Sequence, residues 1–170
     1  MKNFLFFSLM LLSLDVFAQS DNDRPVRDSF TLTMPVGNDM YYESHIQSSP
    51  FVVGPKILQL FPGETVLLEL EEQNGVITNI KTVKENKNPD RTLEIKFVQN
   101  VEGKTHSNMM LKVRNPFKRN LLYNATIRLR KSEKWVETSI MPVTAGLFGL
   151  EIWPDVIISI ALDEWRFVKS

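Results

Sequence analysis

The sequence predicts an all-β protein, a sandwich or barrel of about seven to nine antiparallel strands. Three observations carry this. From Phe30 onward, apolar residues recur at every second position in run after run, the period of a strand with one buried face. Turn residues interrupt those runs at spacings of ~8–12 residues. No segment after residue 18 keeps a helical period.

Each element follows from its own pattern. Phe30, Leu32 and Met34 alternate with Thr31 and Thr33, and Pro35, Gly37, Asn38 and Asp39 break the run. Residues 40–49 read either way: Tyr41 and Tyr42 favour a strand, the polar residues after them a loop. Residues 51–53 lie between Pro50 and Gly54-Pro55, and residues 57–61 form a short apolar strand ended by Pro62-Gly63. Val66, Leu68 and Leu70 alternate with Leu67, Glu69 and Glu71. Asn74-Gly75 is the strongest hairpin signal, because both residues tolerate the left-handed backbone of a two-residue turn. Residues 76–83 are rich in Val, Ile and Thr, which suit a pleated surface. After a turn over 86–90, Leu93, Ile95 and Phe97 alternate with Glu94, Lys96 and Val98. Residues 103–108 read as a polar loop. Met109, Leu111 and Val113 then alternate with Met110, Lys112 and Arg114, and Asn115-Pro116 stops the strand. Leu121, Tyr123, Ala125, Ile127 and Leu129 form the longest alternating series. Residues 135–141 read as a strand, 144–149 as small and flexible, and 156–162 as a strand that 165–168 complete.

Residues 1–18 are expected to be a signal peptide. Lys2 precedes an apolar stretch over 4–14, and Val16 and Ala18 supply small side chains at the −3 and −1 positions. The stretch is shorter than the ~20 apolar residues that span a bilayer. Cleavage after Ala18 leaves a flexible polar tail over 19–29 and a single β-sandwich domain over 30–170. The expected location is periplasmic or secreted, with no membrane span after cleavage. There is no cysteine, so neither a disulfide nor a lipid-modified cysteine anchors the mature chain. A domain of ~150 residues buries ~70% of its unfolded surface and holds its own core. Lys plus Arg and Asp plus Glu both number 20, a balance that argues for neither a nucleic acid nor a membrane partner.

Two segments carry a resemblance at the level of fold. Leu60-Phe61-Pro62-Gly63-Glu64-Thr65, followed by apolar alternation, resembles the turn before a core strand in bacterial immunoglobulin-like domains. Leu121-Leu122-Tyr123-Asn124-Ala125 looks like the start of the penultimate strand of such sandwiches, with Ala125 where a cysteine often stands. The resemblance implies an immunoglobulin-like β-sandwich and no particular function. A narrower likeness joins Ser49-Pro50-Phe51-Val52-Val53-Gly54-Pro55 to Leu60 and Pro62-Gly63. It is similar in rhythm to the first domain of periplasmic pilus-assembly chaperones.

Chemistry-bearing motifs are absent. The two histidines, His45 and His106, lie in no metal-ligand spacing, and His106 reads as solvated among Thr105 and Ser107. No nucleophile elbow, zinc motif or phosphate-cradling glycine loop occurs. The expectation is a non-enzyme without metal or cofactor, although a Ser/His/acid site assembles from distant residues in some folds.

Charge is unevenly placed. Residues 112–134 hold eight basic residues and one acid, whereas 135–165 hold five acids and no base. If Leu111 and Val113 face the core, Lys112 and Arg114 face out, and Arg128 and Arg130 follow the same rule. These four form one basic surface if their strands share a sheet, and a split one if they do not. Phe117, in a basic turn, is either an exposed anchor for a partner or a plug at the end of the sandwich. Trp135, Trp153 and Trp165 suit either the core or a sugar-stacking platform. The expected function is an exported binding or scaffolding domain of the cell envelope. Lys112, Arg114, Phe117, Arg128 and Arg130 would contact a protein or an anionic polysaccharide. The alternatives are an assembly-chaperone-like protein, a small-ligand-binding barrel and a small hydrolase.

Overall fold

The apolar alternation folds into two facing five-stranded sheets in a computed structural model of the chain, which describes residues 25–37, 39–132 and 134–168. Fourteen strands follow in order: β1 (Val26–Arg27), β2 (Phe30–Gly37), β3 (Met40–Ile46), β4 (Ser49–Pro50), β5 (Val52–Gly54), β6 (Ile57–Leu60), β7 (Thr65–Gln73), β8 (Val76–Val83), β9 (Thr92–Glu102), β10 (Thr105–Arg114), β11 (Asn120–Leu129), β12 (Trp135–Thr138), β13 (Phe148–Trp153) and β14 (Ile157–Val168). The first sheet runs β13-β10-β9-β7-β8 and the second β12-β11-β14-β6-β5. Their pairings are all antiparallel. Among the described residues there is no helix.

The core lies between the sheets. Leu68, Leu93, Ile95, Phe97, Met109, Leu111 and Val113 enter it from the first sheet, and Leu58, Leu60, Leu121, Tyr123, Ile160 and Leu162 from the second. Each fully buried side chain of this kind contributes ~1.5–3 kcal/mol relative to exposure. Asn74 and Gly75 both have positive φ, 53° and 84°, as the two-residue turn between β7 and β8 requires.

The β2–β3 hairpin pairs only with itself. Its Leu32 and Met34 pack with Ile158 of β14 in a second, smaller core. At the far end of β2, Gln99 Nε2 donates to Pro35 O at 2.8 Å and to His106 Nδ1 at 2.9 Å, and His106 Nε2 donates to Pro154 O at 2.9 Å. Both neighbours are thus satisfied only by the Nε2–H tautomer.

The structure departs from the sequence reading in five places. Among the described residues the strands number fourteen rather than seven to nine, because the short β1, β4 and β5, the ambiguous segment that forms β3 and the unexpected β13 add to the strands that alternation reveals. The predicted loop over 103–108 is mostly strand: only Gly103 and Lys104 separate β9 from β10, and His106 is a held strand residue rather than a solvated one. The segment expected to be flexible over 144–149 already contains the start of β13. Three strands follow β11, so it is not penultimate. The signal peptide and residues 19–24 of the expected tail lie outside the described residues. The remainder of that tail is pinned, since Arg27 is 4% exposed and its guanidinium makes a two-point ion pair with Glu64.

Candidate functional site

The four basic candidates do not share a sheet. Lys112 and Arg114 are on β10 in the first sheet, whereas Arg128 is on β11 in the second and Arg130 just follows it. The continuous surface that a shared sheet would give is therefore divided into two. Lys112 lies directly opposite Lys96 of β9, and Arg114 opposite Glu94. Among the described residues neither Lys112 nor Arg114 is in a salt bridge. Instead both lie against Phe148 of β13, with Lys112 Nζ 4.1 Å and Arg114 Cζ 5.9 Å from the ring centre.

Phe117 is half-buried and packs edge-on against Phe167 at 5.0 Å between ring centres, so it belongs to the sandwich end rather than standing free. A fully buried asparagine shapes its loop. Asn115 Nδ2 donates to Arg119 O at 2.8 Å and Val143 O at 2.9 Å, and Asn115 Oδ1 accepts from Phe117 N at 3.0 Å. Arg119 stacks 3.7 Å over the Phe167 ring and pairs with both carboxylate oxygens of Glu72, a hydrogen bond that holds the Glu72 carboxyl below its ordinary range.

The surface beside Lys112 and Arg114 is apolar. Phe148, Leu150 and Ile152 alternate along β13, point outward, and are 53%, 56% and 60% exposed. Exposed Leu147 immediately precedes this strand and exposed Met141 is hydrogen-bonded to it, whereas exposed Trp135 and Val136 lie on β12 at the edge of the second sheet, Trp135 opposite Arg128. β13 is an edge strand paired only with β10. Its inner side is fixed: Trp153 Nε1 donates to Thr138 Oγ1 at 3.0 Å, and Met141 N to Glu151 Oε1 at 2.9 Å. Gly149 sits so close to buried Val143 that an added Cβ would stand 2.6 Å from a valine methyl. Other sheet edges carry protection of the kinds that discourage strand pairing. β8 presents Lys81, β5 is three residues ending at Gly54-Pro55, and β12 is four residues long. β13 presents only apolar side chains outward.

Arg128 belongs to a different feature, a hollow of about 300 Å³ between β3 and the outer face of the second sheet. His45, Ser44, Ser49 and Ser159 also line it, and no carboxylate does. Arg130 and His106 line a smaller hollow of about 190 Å³ together with Lys131 and Asp155. Among the described residues no group of histidines and carboxylates is arranged to hold a metal ion.

The tryptophans separate by role. Trp165 is buried against Tyr123 and donates to Lys56 O at 3.1 Å, Trp153 is half-buried, and Trp135 is exposed. They form no common platform. Burial pushes the Tyr123 phenol up, and burial, then Glu164 and Glu137, push the Asp163 carboxyl up.

Phe148, Leu150 and Ile152 are the surface residues that the sequence reading passed over. Their alternation was present, but Gly149 and the small residues before it read as a flexible link. Comparison with known proteins finds no matching family model, no matching curated protein and no matching solved structure.

Proposed function

We propose that this chain is an exported, non-enzymatic binding or scaffolding domain of the cell envelope that docks a protein partner on its β13 flank. The observation that carries the reading is the concentration of exposed apolar side chains on that one flank, at an unprotected edge. Contiguous apolar surface with a polar rim is the usual mark of an interaction site. Lys96, Lys112 and Arg114 border the stripe against one facing acid, Glu94, so the partner presents an apolar ridge flanked by carboxylates. Of the sequence candidates, Lys112 and Arg114 belong to this surface.

Two further points support a non-enzyme. The hollow holding His45 has hydroxyls but no acid to orient the ring, and both ring nitrogens of His106 are engaged in structural hydrogen bonds. The immunoglobulin-like reading of the sandwich is supported by the Pro62-Gly63-Glu64 turn before β7 and by Tyr123, two residues before the buried Ala125 on β11.

A photocrosslinker at position 150 of the full chain, expressed with its leader, tests the docking surface. It is expected to give a discrete protein adduct that is lost when Phe148→Glu and Ile152→Lys are added. An adduct unchanged by those two substitutions, or adducts only from positions on the opposite edge such as Val76, sinks the proposal.

A further inference from the structure

We infer that the hollow between β3 and the second sheet binds a sugar acid, a hydroxylated ring carrying one carboxylate. This site is separate from the β13 flank. The hollow of about 300 Å³ lies at the small end of ligand pockets, which run ~300–1,000 Å³. Three properties define what fits.

The first is charge. Arg128 enters from β11 and is exposed, and among the described residues its guanidinium has no hydrogen bond or ion pair. No carboxylate lines the hollow to neutralise it. The nearby cation Arg27 is already matched by Glu64. A planar guanidinium with free donors takes a carboxylate through two parallel hydrogen bonds.

The second is the density of neutral polar groups around that single cation. The β2–β3 hairpin forms one wall of the hollow, where Leu32, Tyr42, Ser44 and Ile46 share a face. Ser44, His45 and Gln47 supply its polar groups there. Opposite them, the sheet wall is fixed, since Gln59 Nε2 donates to Ser159 Oγ at 3.1 Å and Ser159 Oγ donates to Leu60 O at 3.1 Å. A simple inorganic anion leaves most of these groups without a role, whereas ring hydroxyls engage them.

The third is an apolar floor. Ile158 is 8% exposed, and Phe61 packs beside it. The apolar face of a pyranose lies on such a surface while its rim makes hydrogen bonds.

Titration of the isotopically labelled full domain with D-glucuronate, glucose and inorganic sulfate, followed through its amide resonances, tests this. Glucuronate is expected to shift residues 42–47, 128 and 159 saturably. Arg128→Gln, an exposed position that leaves the fold intact, weakens it about tenfold or more. Gln47→Ala weakens glucuronate and leaves the response to sulfate unchanged, and Leu150→Lys on the β13 flank has no effect. Absence of shifts with glucuronate overturns the inference. So does glucose binding as tightly as glucuronate, which makes the charge irrelevant, or sulfate binding as tightly, which makes the site one for a bare anion. Because the flank variant is carried in parallel, failure of this site is distinguishable from failure of the docking surface.

Discussion

Arg27 uses all five of its N–H donors. Nε and Nη2 pair with Glu64 at 2.7 and 3.1 Å, Nη1 reaches Ser49 Oγ at 2.9 Å and Pro50 O at 3.5 Å, and Nη2 also reaches Gln59 O at 2.6 Å. Its guanidinium lies within 5.0 Å of the ring centres of Phe51 and Phe61. Removing one member of such a pair leaves an uncompensated buried charge, which costs ~3–5 kcal/mol. Arg27→Ala is therefore expected to lower the unfolding free energy measured by urea titration by that amount, while Arg27→Met with Glu64→Leu recovers much of it. None of this was legible in sequence, where Arg27 stood in a polar tail. Its partners lie 22 to 37 positions away, and no local pattern announces them. Asp163 gives a pH effect of definite sign. Its folded carboxyl is raised, chiefly by burial and then by Glu164 and Glu137, so its ionised form opposes folding. Asp163→Asn is expected to raise the melting temperature at neutral pH. The gain fades as pH falls through the raised value, where Asp163 is itself neutral, and a gain constant across pH would contradict this cause.

At the scale of elements, β13 is the informative case. Its outward side chains were misread because Gly149 interrupts them, yet Gly149 is what lets the strand approach its neighbour. Val143 exchanges two backbone hydrogen bonds with Leu121, at 3.0 and 2.7 Å, and its side chain fills the space beneath β13. Gly149→Ala drives a methyl into Val143 and is expected to destabilise the domain by ~1–3 kcal/mol. Adding Val143→Ala restores part of the loss in a thermal melt. Asn115 shows the converse. The sequence marked Asn115-Pro116 as the end of a strand, and it is one, but the asparagine also braces the 115–119 loop with two hydrogen bonds and ties it to residues 143–144 with two more. A break signal in a sequence reports that a strand stops and says nothing of what holds the stop in place.

For the whole molecule, strand period and turn spacing were enough to predict an all-β chain, because alternation is a local property of one strand. Which strands become neighbours is not local. β10 and β11 are adjacent in sequence and lie in different sheets, which is why the basic residues divide between the β13 flank and the Arg128 hollow. The hollow draws its walls from β3, β6, β11 and β14, a juxtaposition that no spacing along the chain encodes. That same connectivity also bears on the order in which the chain is made. β14 is the last of the fourteen strands, yet it sits inside the second sheet between β11 and β6. Until residues 157–168 emerge from the ribosome, β6 and β11 have nothing to join them. Pairings of such long sequence separation form slowly. In a nascent chain proposed for export, the second sheet, and with it the shared core, thus closes only once its final strand is free.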